Sequence, residues 1–137
     1  MTVRRFSVVA SLALALAACG RETVAPQGTL VGRFGGRAVE LVATGEGVRV
    51  QFTCNVAQFA RPLIASTDGA FSLSPTLVPL GNGRGTAAVM IRGVTRSTEI
   101  EFDAIWLASS GVVTTTHYTV RADQPADHSN LACLAGT

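Results

Sequence analysis

Few side chains in this 137-residue chain have the types and spacing that catalytic chemistry requires. Asp103 and His117 come closest, because a carboxylate that orients an imidazole helps to activate the nucleophile in many hydrolases. No serine in a Gly-x-Ser-x-Gly turn accompanies them. The strands on which they fall place them opposite each other on an outer face, so a cross-strand surface pair is the simpler interpretation. The sequence therefore predicts no catalytic residue and no enzyme.

Acidic side chains alternate along the same segment, as Glu99, Glu101 and Asp103, and could suggest a site for a hard cation. Neighbours on one face of a strand stand ~7 Å apart along a rigid line, whereas a cation needs ligands that surround one point. A zinc site is not better supported, because His117 and His128 are the only histidines and the pattern supplies no third ligand. We therefore predict a solvated acidic face, with neither a metal nor another cofactor.

Trp106 and Tyr118 are the remaining candidates for a binding site, since the alternation places both on an inner face. Large aromatic side chains in such positions pack in a core, but at the mouth of a barrel they can also stack on a small apolar ligand. Both interpretations stay open.

These candidates are positioned by a hairpin whose register follows from its turn. Residues 98–107 and 112–121 alternate between apolar and polar side chains, and the loop Ser109-Ser110-Gly111 fits a type I turn followed by a left-handed glycine. This loop sets apolar residues opposite apolar ones, and charged residues opposite charged or titratable ones. The predicted pairs are Phe102 with Tyr118, Ile100 with Val120, Glu99 with Arg121, and Asp103 with His117.

A second hairpin joins residues 38–43 and 48–54 through the two-residue loop Gly45-Glu46, for which we expect a type II′ turn. Glu40 then falls on the outer face. Since side chains repeat every two residues along a strand, Cys54 should continue the inner face and be buried. The other members of that inner face are Val39, Leu41, Ala43, Val48, Val50 and Phe52.

Further strands are expected at residues 29–34, 70–74 and 86–92, and no stretch of ten residues keeps a helical period. Residues 28–137 therefore form one all-β domain of seven or eight antiparallel strands. Successive hairpins favour a closed up-and-down barrel, which removes exposed strand edges, and a β-sandwich is the alternative.

The first residues of the chain are typical of a targeting segment. Arg4 and Arg5 precede an uncharged apolar run that suits a secretory signal and is short for a membrane span. The run ends in Leu16-Ala17-Ala18-Cys19, which resembles the lipobox of bacterial lipoproteins. The resemblance implies that a signal peptide, residues 1–18, is removed and that Cys19 is acylated. An ordinary cleaved signal is the alternative.

Residues 19–27 would then tether the domain to a membrane of the cell envelope. The residue after the cysteine is Gly20 and not an aspartate. In this the chain resembles enteric lipoproteins that are sorted to the periplasmic face of the outer membrane. Both basic residues in excess, Arg4 and Arg5, belong to the signal, which leaves nine arginines against nine acidic residues. A neutral domain without a basic cluster is an unlikely match for nucleic acid, and the absence of lysine excludes Schiff-base and P-loop chemistry.

If Cys19 carries lipid, Cys54 and Cys133 are the two cysteines left. An oxidising envelope favours their pairing, and two separately buried thiols are the alternative. From Gly28 to Leu134, the order of features also resembles a family of small, uncharacterised bacterial exported β proteins, and this resemblance implies the same disulfide. The residues that carry it are Gly28-Thr29-Leu30, Gly35-Gly36, Phe52-Thr53-Cys54, Pro62-Leu63, Asp68-Gly69, Phe71 and Leu131-Ala132-Cys133-Leu134.

The sequence thus predicts a lipid-anchored, monomeric and non-catalytic binding module for a small apolar ligand or an envelope partner. A protease inhibitor is the alternative, because small lipid-anchored barrels with one disulfide resemble bacterial metalloprotease inhibitors. An empty barrel interior would favour ligand binding. A filled interior with a protruding N-terminal tether would favour inhibition.

Overall fold

The computed structural model describes residues 28–80 and 85–129, and the regular structure in these ranges is entirely β. The part of the chain it describes contains no helix that is long and apolar enough to cross a membrane. The strands are β1 Gly28–Leu30, β2 Gly32–Gly36, β3 Val39–Ala43, β4 Val48–Phe52, β5 Val56–Phe59, β6 Leu63–Ala65, β7 Ala70–Pro79, β8 Thr86–Arg96, β9 Glu99–Ala108 and β10 Val113–Ala122.

Eight of these strands form one antiparallel sheet in the order β5-β4-β3-β2-β10-β9-β8-β7, and β1 pairs with β6 in a separate two-stranded sheet. The terminal strands β5 and β7 contact each other, so the large sheet is nearly closed into a barrel. Within this barrel β2 to β5 and β7 to β10 each pair in sequence order, and β10 returns to pair with β2. The predicted up-and-down barrel is therefore confirmed, with the opening between β5 and β7.

Both predicted hairpin registers are confirmed. In the hairpin of β9 and β10, His117 lies opposite Asp103, and Gly111 adopts the expected left-handed conformation with φ 85°. The expected type II′ turn between β3 and β4 is wrong, because Gly45 does not have a positive φ. The Thr44 hydroxyl instead accepts hydrogen bonds from the amides of Glu46 and Gly47, at 3.3 and 3.1 Å, and this shapes the loop.

The barrel is held together by one cluster of inward-facing apolar side chains to which every strand contributes. Full burial of such a side chain is worth roughly 1.5–3 kcal/mol, so this cluster supplies the main driving force for folding. Its largest fully buried members are Phe34, Phe102, Leu30, Leu41, Leu63, Ile91 and Ile100.

The expected burial of Cys54 is wrong. Strand β4 ends at Phe52, whose amide donates to the carbonyl of Asn55 at 2.8 Å, so the chain turns and the alternation of faces stops. Cys54 consequently lies exposed in the turn between β4 and β5. The predicted lipidation site Cys19 and the predicted disulfide partner Cys133 lie outside the described residues, as do the predicted signal peptide and the predicted tether.

Candidate functional site

A polar surface of the barrel is partly enclosed where the chain leaves β10. Residues 123–128, which we call the strap, turn back and run across the outer face of β2. At one end the amide of Asp123 donates to the carbonyl of Arg33 at 3.0 Å. At the other end the amide of Asp127 donates to the carbonyl of Gly36 at 3.0 Å, and the amide of Ala38 donates to the carbonyl of Asp127 at 2.8 Å. Backbone hydrogen bonds therefore fix both ends of the strap.

The strap can approach β2 closely because residue 35 has no side chain. A Cβ atom on Gly35 would lie 2.0 Å from the carbonyl oxygen of Gln124 and 2.6 Å from the carbonyl carbon of Pro125. Both distances are far below van der Waals contact, so a side chain here would force the two backbones apart.

Glu40 lies directly opposite Gly35 in the pairing of β2 with β3, on the outer face as predicted. Despite that position it is only 8% exposed. Its Oε1 accepts a hydrogen bond from Nε of Arg33, and this bond is the main reason that the pKa of Glu40 lies below its usual value. The charges of Arg33, Arg49 and His128 lower the pKa of Glu40 further, while burial opposes them.

The strap and the outer face of β3 and β4 enclose a groove with a volume of about 560 Å³. Ligand-binding clefts are typically ~300–1,000 Å³, so the groove is large enough for a small molecule. Within it, Oε1 of Gln51 accepts a hydrogen bond from Nη2 of Arg49 at 2.9 Å. The groove is lined by Arg33, Glu40, Gln51, Asp123, Gln124, Pro125, Ala126 and His128.

His128 brings a buried polar atom to this groove. Its Nδ1 is shielded from solvent and has no hydrogen-bond partner among residues 28–80 and 85–129. Leaving such an atom unpaired costs about 1–3 kcal/mol, so native proteins rarely keep one without a reason. The lining of the groove therefore includes a largely buried carboxylate, while the Nδ1 atom of His128 lies beneath the accessible surface.

The predicted binding residues Trp106 and Tyr118 lie elsewhere, on the inner face of the barrel. Both rings contact Phe52, with centroid distances of 5.0 Å for Trp106 and 5.4 Å for Tyr118. Partial burial raises the pKa of Tyr118 above its usual value. These contacts account for both positions through core packing, and a ligand stacked on the two rings stays a prediction.

The other sequence candidates lie on the outer face of β9 and β10. Nδ1 of His117 is 2.8 Å from Oδ1 of Asp103, and the two side chains are 61% and 48% exposed. Glu99 binds Arg121 across the same two strands, at 2.7 Å. These are cross-strand surface pairs, as the sequence indicates. Among residues 28–80 and 85–129, no three His, Cys, Asp or Glu side chains are grouped so that they could hold a metal ion.

A second surface feature was missed by the sequence reasoning. Leu77, Ala88, Leu107 and Val113 lie side by side across β7, β8, β9 and β10, and we call them the apolar row. Its three large side chains are 71%, 47% and 61% exposed. The sequence did contain a signal for the apolar row. In the predicted register, Leu107 and Val113 are apolar residues at outward positions, on the same face as Asp103 and His117.

The groove had a weaker signal in the sequence. The adjacent Gly35-Gly36 marks a place where another backbone can approach, but nothing in the polar segment after β10 indicates that it folds back onto β2. Comparison with protein-family models, with curated proteins and with solved structures found no match to this chain.

Proposed function

We propose that this protein is a non-catalytic binding module of the bacterial envelope that recognises a partner protein through the outer surface of its barrel. The observation that carries the proposal is the apolar row. Contiguous apolar side chains with polar surroundings on a soluble surface mark interaction sites, whereas single exposed ones do not. The apolar row is such a contiguous group, because its three large apolar side chains come from three different strands.

The surroundings of the row favour a protein partner. Met90 and Ile105 pair next to the row on the same outer face and are half-buried, which widens the apolar surface. One step further along the strands, Arg92 lies opposite Asp103, so a charged rim follows the apolar centre. An apolar centre inside a polar rim is the usual anatomy of a protein–protein interface.

A small apolar ligand inside the barrel has less support, because inward side chains from every strand already pack in one cluster. The protease-inhibitor alternative is compatible with a filled interior. Its other requirement, a protruding N-terminal tether, concerns residues outside the described ranges. We therefore retain the inhibitor as the second candidate, with the apolar row as the shared contact surface.

Lipid on Cys19 would hold the module at the membrane, and this part of the proposal rests on the lipobox resemblance. Mass spectrometry of the mature protein should find a diacylglyceryl group on Cys19 after removal of residues 1–18. An unmodified thiol at that position would contradict the anchor, and with it the assignment to the periplasmic face of the outer membrane.

A disulfide between Cys54 and Cys133 is part of the same proposal. The Thr53 hydroxyl, next to Cys54, donates to the carbonyl of Ala38 at 3.4 Å, and Ala38 in turn binds Asp127. Cys133 follows Asp127 by six residues, a length of chain that extends to roughly 20 Å and supports a link to Cys54. Peptide mapping without reductant should recover the cross-linked peptides, and two unlinked thiols would contradict the pairing.

The partner-binding surface can be tested with a photo-crosslinking amino acid placed at Leu107 of the full-length protein in its native envelope. We expect a covalent adduct with one envelope protein, and its loss when Leu77→Ser is added. The matched control is the same crosslinker at Arg49, on an exposed position of the opposite half of the barrel. Equal adducts at both positions, or an adduct only with a second copy of this chain, would overturn the proposal.

A further inference from the structure

We propose that the partner protein adds a β-strand to the side of β10 that faces away from β9, along residues 113–117, which we call the open edge. Strand β10 has ten residues and pairs with β9 over nearly its whole length. Only Arg121 and Ala122 pair with β2, which ends at Gly36. The inference rests on the proposed function, because the apolar row ends at Val113, on the open edge.

The backbone groups of the open edge point away from β9. The amide of Ala122 donates to the carbonyl of Thr98 at 2.8 Å, so the even-numbered residues of β10 bond to β9. On the other side, the amide of Asp123 donates to the carbonyl of Arg33 at 3.0 Å, as odd-numbered residues should. Among the described residues, no backbone hydrogen bond reaches the odd-numbered residues of the open edge on that side. They are Val113, Thr115 and His117.

The open edge also stands clear of the rest of the barrel. Inward side chains of a barrel strand are normally buried, and Val120, further along β10, is fully buried. Thr114 and Thr116 share the inward face with Val120, and yet both are exposed. Solvent therefore reaches both faces of β10 along the open edge, as an incoming strand requires.

The open edge lacks the features with which proteins protect strand edges from pairing. All of its residues except His117 are β-branched, none is proline or lysine, and its register with β9 is continuous. Strand β7, at the opening of the barrel, instead carries Pro75 and Pro79 and a register shift between Leu73 and Thr76. An unprotected row of N–H and C=O groups beside an apolar surface favours an extended polypeptide as the occupant.

The register predicts the side chains of the incoming strand. On the outer face, the residue opposite Val113 would extend the apolar row and should be apolar. On the inner face, the residue opposite Thr116 would lie next to the half-buried ring of Tyr118 and should be apolar as well. A second copy of this chain fits less well, because two open edges paired about Thr115 would place Val113 opposite His117.

The test uses the full-length protein in its native envelope, with the photo-crosslinking amino acid at Leu107. Thr115→Pro removes one N–H from the open edge without removing a bond to β9, and Thr115→Val is the matched control that keeps the N–H. Thr115→Pro should lower the yield of the partner adduct at least about tenfold, and Thr115→Val should leave it nearly unchanged. An adduct that persists in both variants overturns strand addition while the proposed partner surface stands.

Hydrogen exchange provides a measurement that does not depend on the folding of a proline variant. In the purified adduct at Leu107, the odd-numbered amides of the open edge should exchange at least about tenfold more slowly than in the free protein. The even-numbered amides already bond to β9, so they serve as the internal control and should change little. Equal exchange of the odd-numbered amides in the adduct and in the free protein overturns the proposal.

A crosslinker at Thr115 separates the two proposals if Leu107 gives no adduct. A partner adduct at Thr115 that His117→Pro abolishes and His117→Gln keeps would support strand addition and contradict only the apolar row. No adduct at either position overturns both proposals. A link from Thr115 to residues 130–137 of the same chain, or to a second copy, overturns strand addition by a partner.

Discussion

Gly35 and Gln124 meet so closely that no side chain can stand between β2 and the strap. This backbone contact brings the strap down onto the outer face of the barrel beside Glu40. An outward position on a strand thereby becomes a largely buried one, and the groove owes its depth to the absence of a single Cβ atom.

We expect Gly35→Ala to lower the free energy of unfolding by about 1–3 kcal/mol, because the new methyl group would push the strap away from β2. Urea denaturation measures this change. Gly45→Ala is the matched control, since a Cβ at Gly45 meets nothing within 4 Å and its φ is not positive. Equal midpoints for the two variants would mean that the strap does not rest on Gly35.

The ion pair of Arg33 and Glu40 should make stability depend on pH. Because the folded-state pKa of Glu40 lies below its usual value of 4.5, the pair stabilises the protein above that pH. This contribution should disappear as the pH falls through the lowered pKa, when Glu40 becomes protonated in the folded state. Arg33 is largely exposed, so solvent screening keeps the effect modest.

Denaturation curves recorded between neutral pH and about pH 3 can isolate this contribution. The stability difference between the unaltered protein and Glu40→Gln should shrink below pH 4.5, and Arg33→Ala should flatten the pH dependence in the same way. A difference that stays constant with pH would show that Arg33 does not stabilise the charged carboxylate.

Ala38 has φ 67°, in the left-handed region that favours glycine. Ala38→Gly should therefore relieve strain of about 1–2 kcal/mol, partly offset by the greater freedom of glycine in the unfolded chain. We expect a net gain of about 0.5 kcal/mol, seen as a higher unfolding temperature. Ala88→Gly, in an ordinary strand conformation, should be destabilising, and the same direction of change in both variants would contradict this account.

The pair of Asp103 and His117 should contribute little to stability, because both side chains are largely exposed. Asp103→Asn should change the free energy of unfolding by less than about 0.5 kcal/mol. Phe102→Ala, which removes a core-facing side chain at the neighbouring position, should lower the free energy of unfolding by about 3–5 kcal/mol. A loss of several kcal/mol in Asp103→Asn would show that this surface pair has a larger role.

The two hairpins could be predicted in register because each carries two signals that agree. For β9 and β10, the length of the loop ending in Gly111 and the alternation of apolar residues select the same pairing, in which Asp103 faces His117. A register shifted by one residue would place the apolar Phe102 opposite the polar His117. Other registers of this hairpin are therefore clearly less favourable.

The groove could not be predicted because it depends on backbone contacts between distant segments. Glu40 was correctly placed on the outer face, but its burial comes from a strap held through the carbonyls and amides of Gly36, Ala38 and Asp127. Almost any residue type can form such backbone hydrogen bonds, so the sequence does not reveal them. The burial of Cys54 was predicted wrongly for a related reason, since the hydrogen bond from Phe52 to Asn55 ends the strand at Phe52, two residues before Cys54.

The return of β10 to β2 has a consequence for how the barrel is assembled. Strands β2 to β5 and β7 to β10 are two meanders with local pairings, which form quickly. The two meanders are joined in the sheet by the pairing of Gly35 with Arg121 and of Phe34 with Ala122, and the strap adds its bonds beside them. Because residues 121–127 come late in the chain, the edge of β2 stays unpaired until these residues are in place. The strap then covers that edge and completes the sheet.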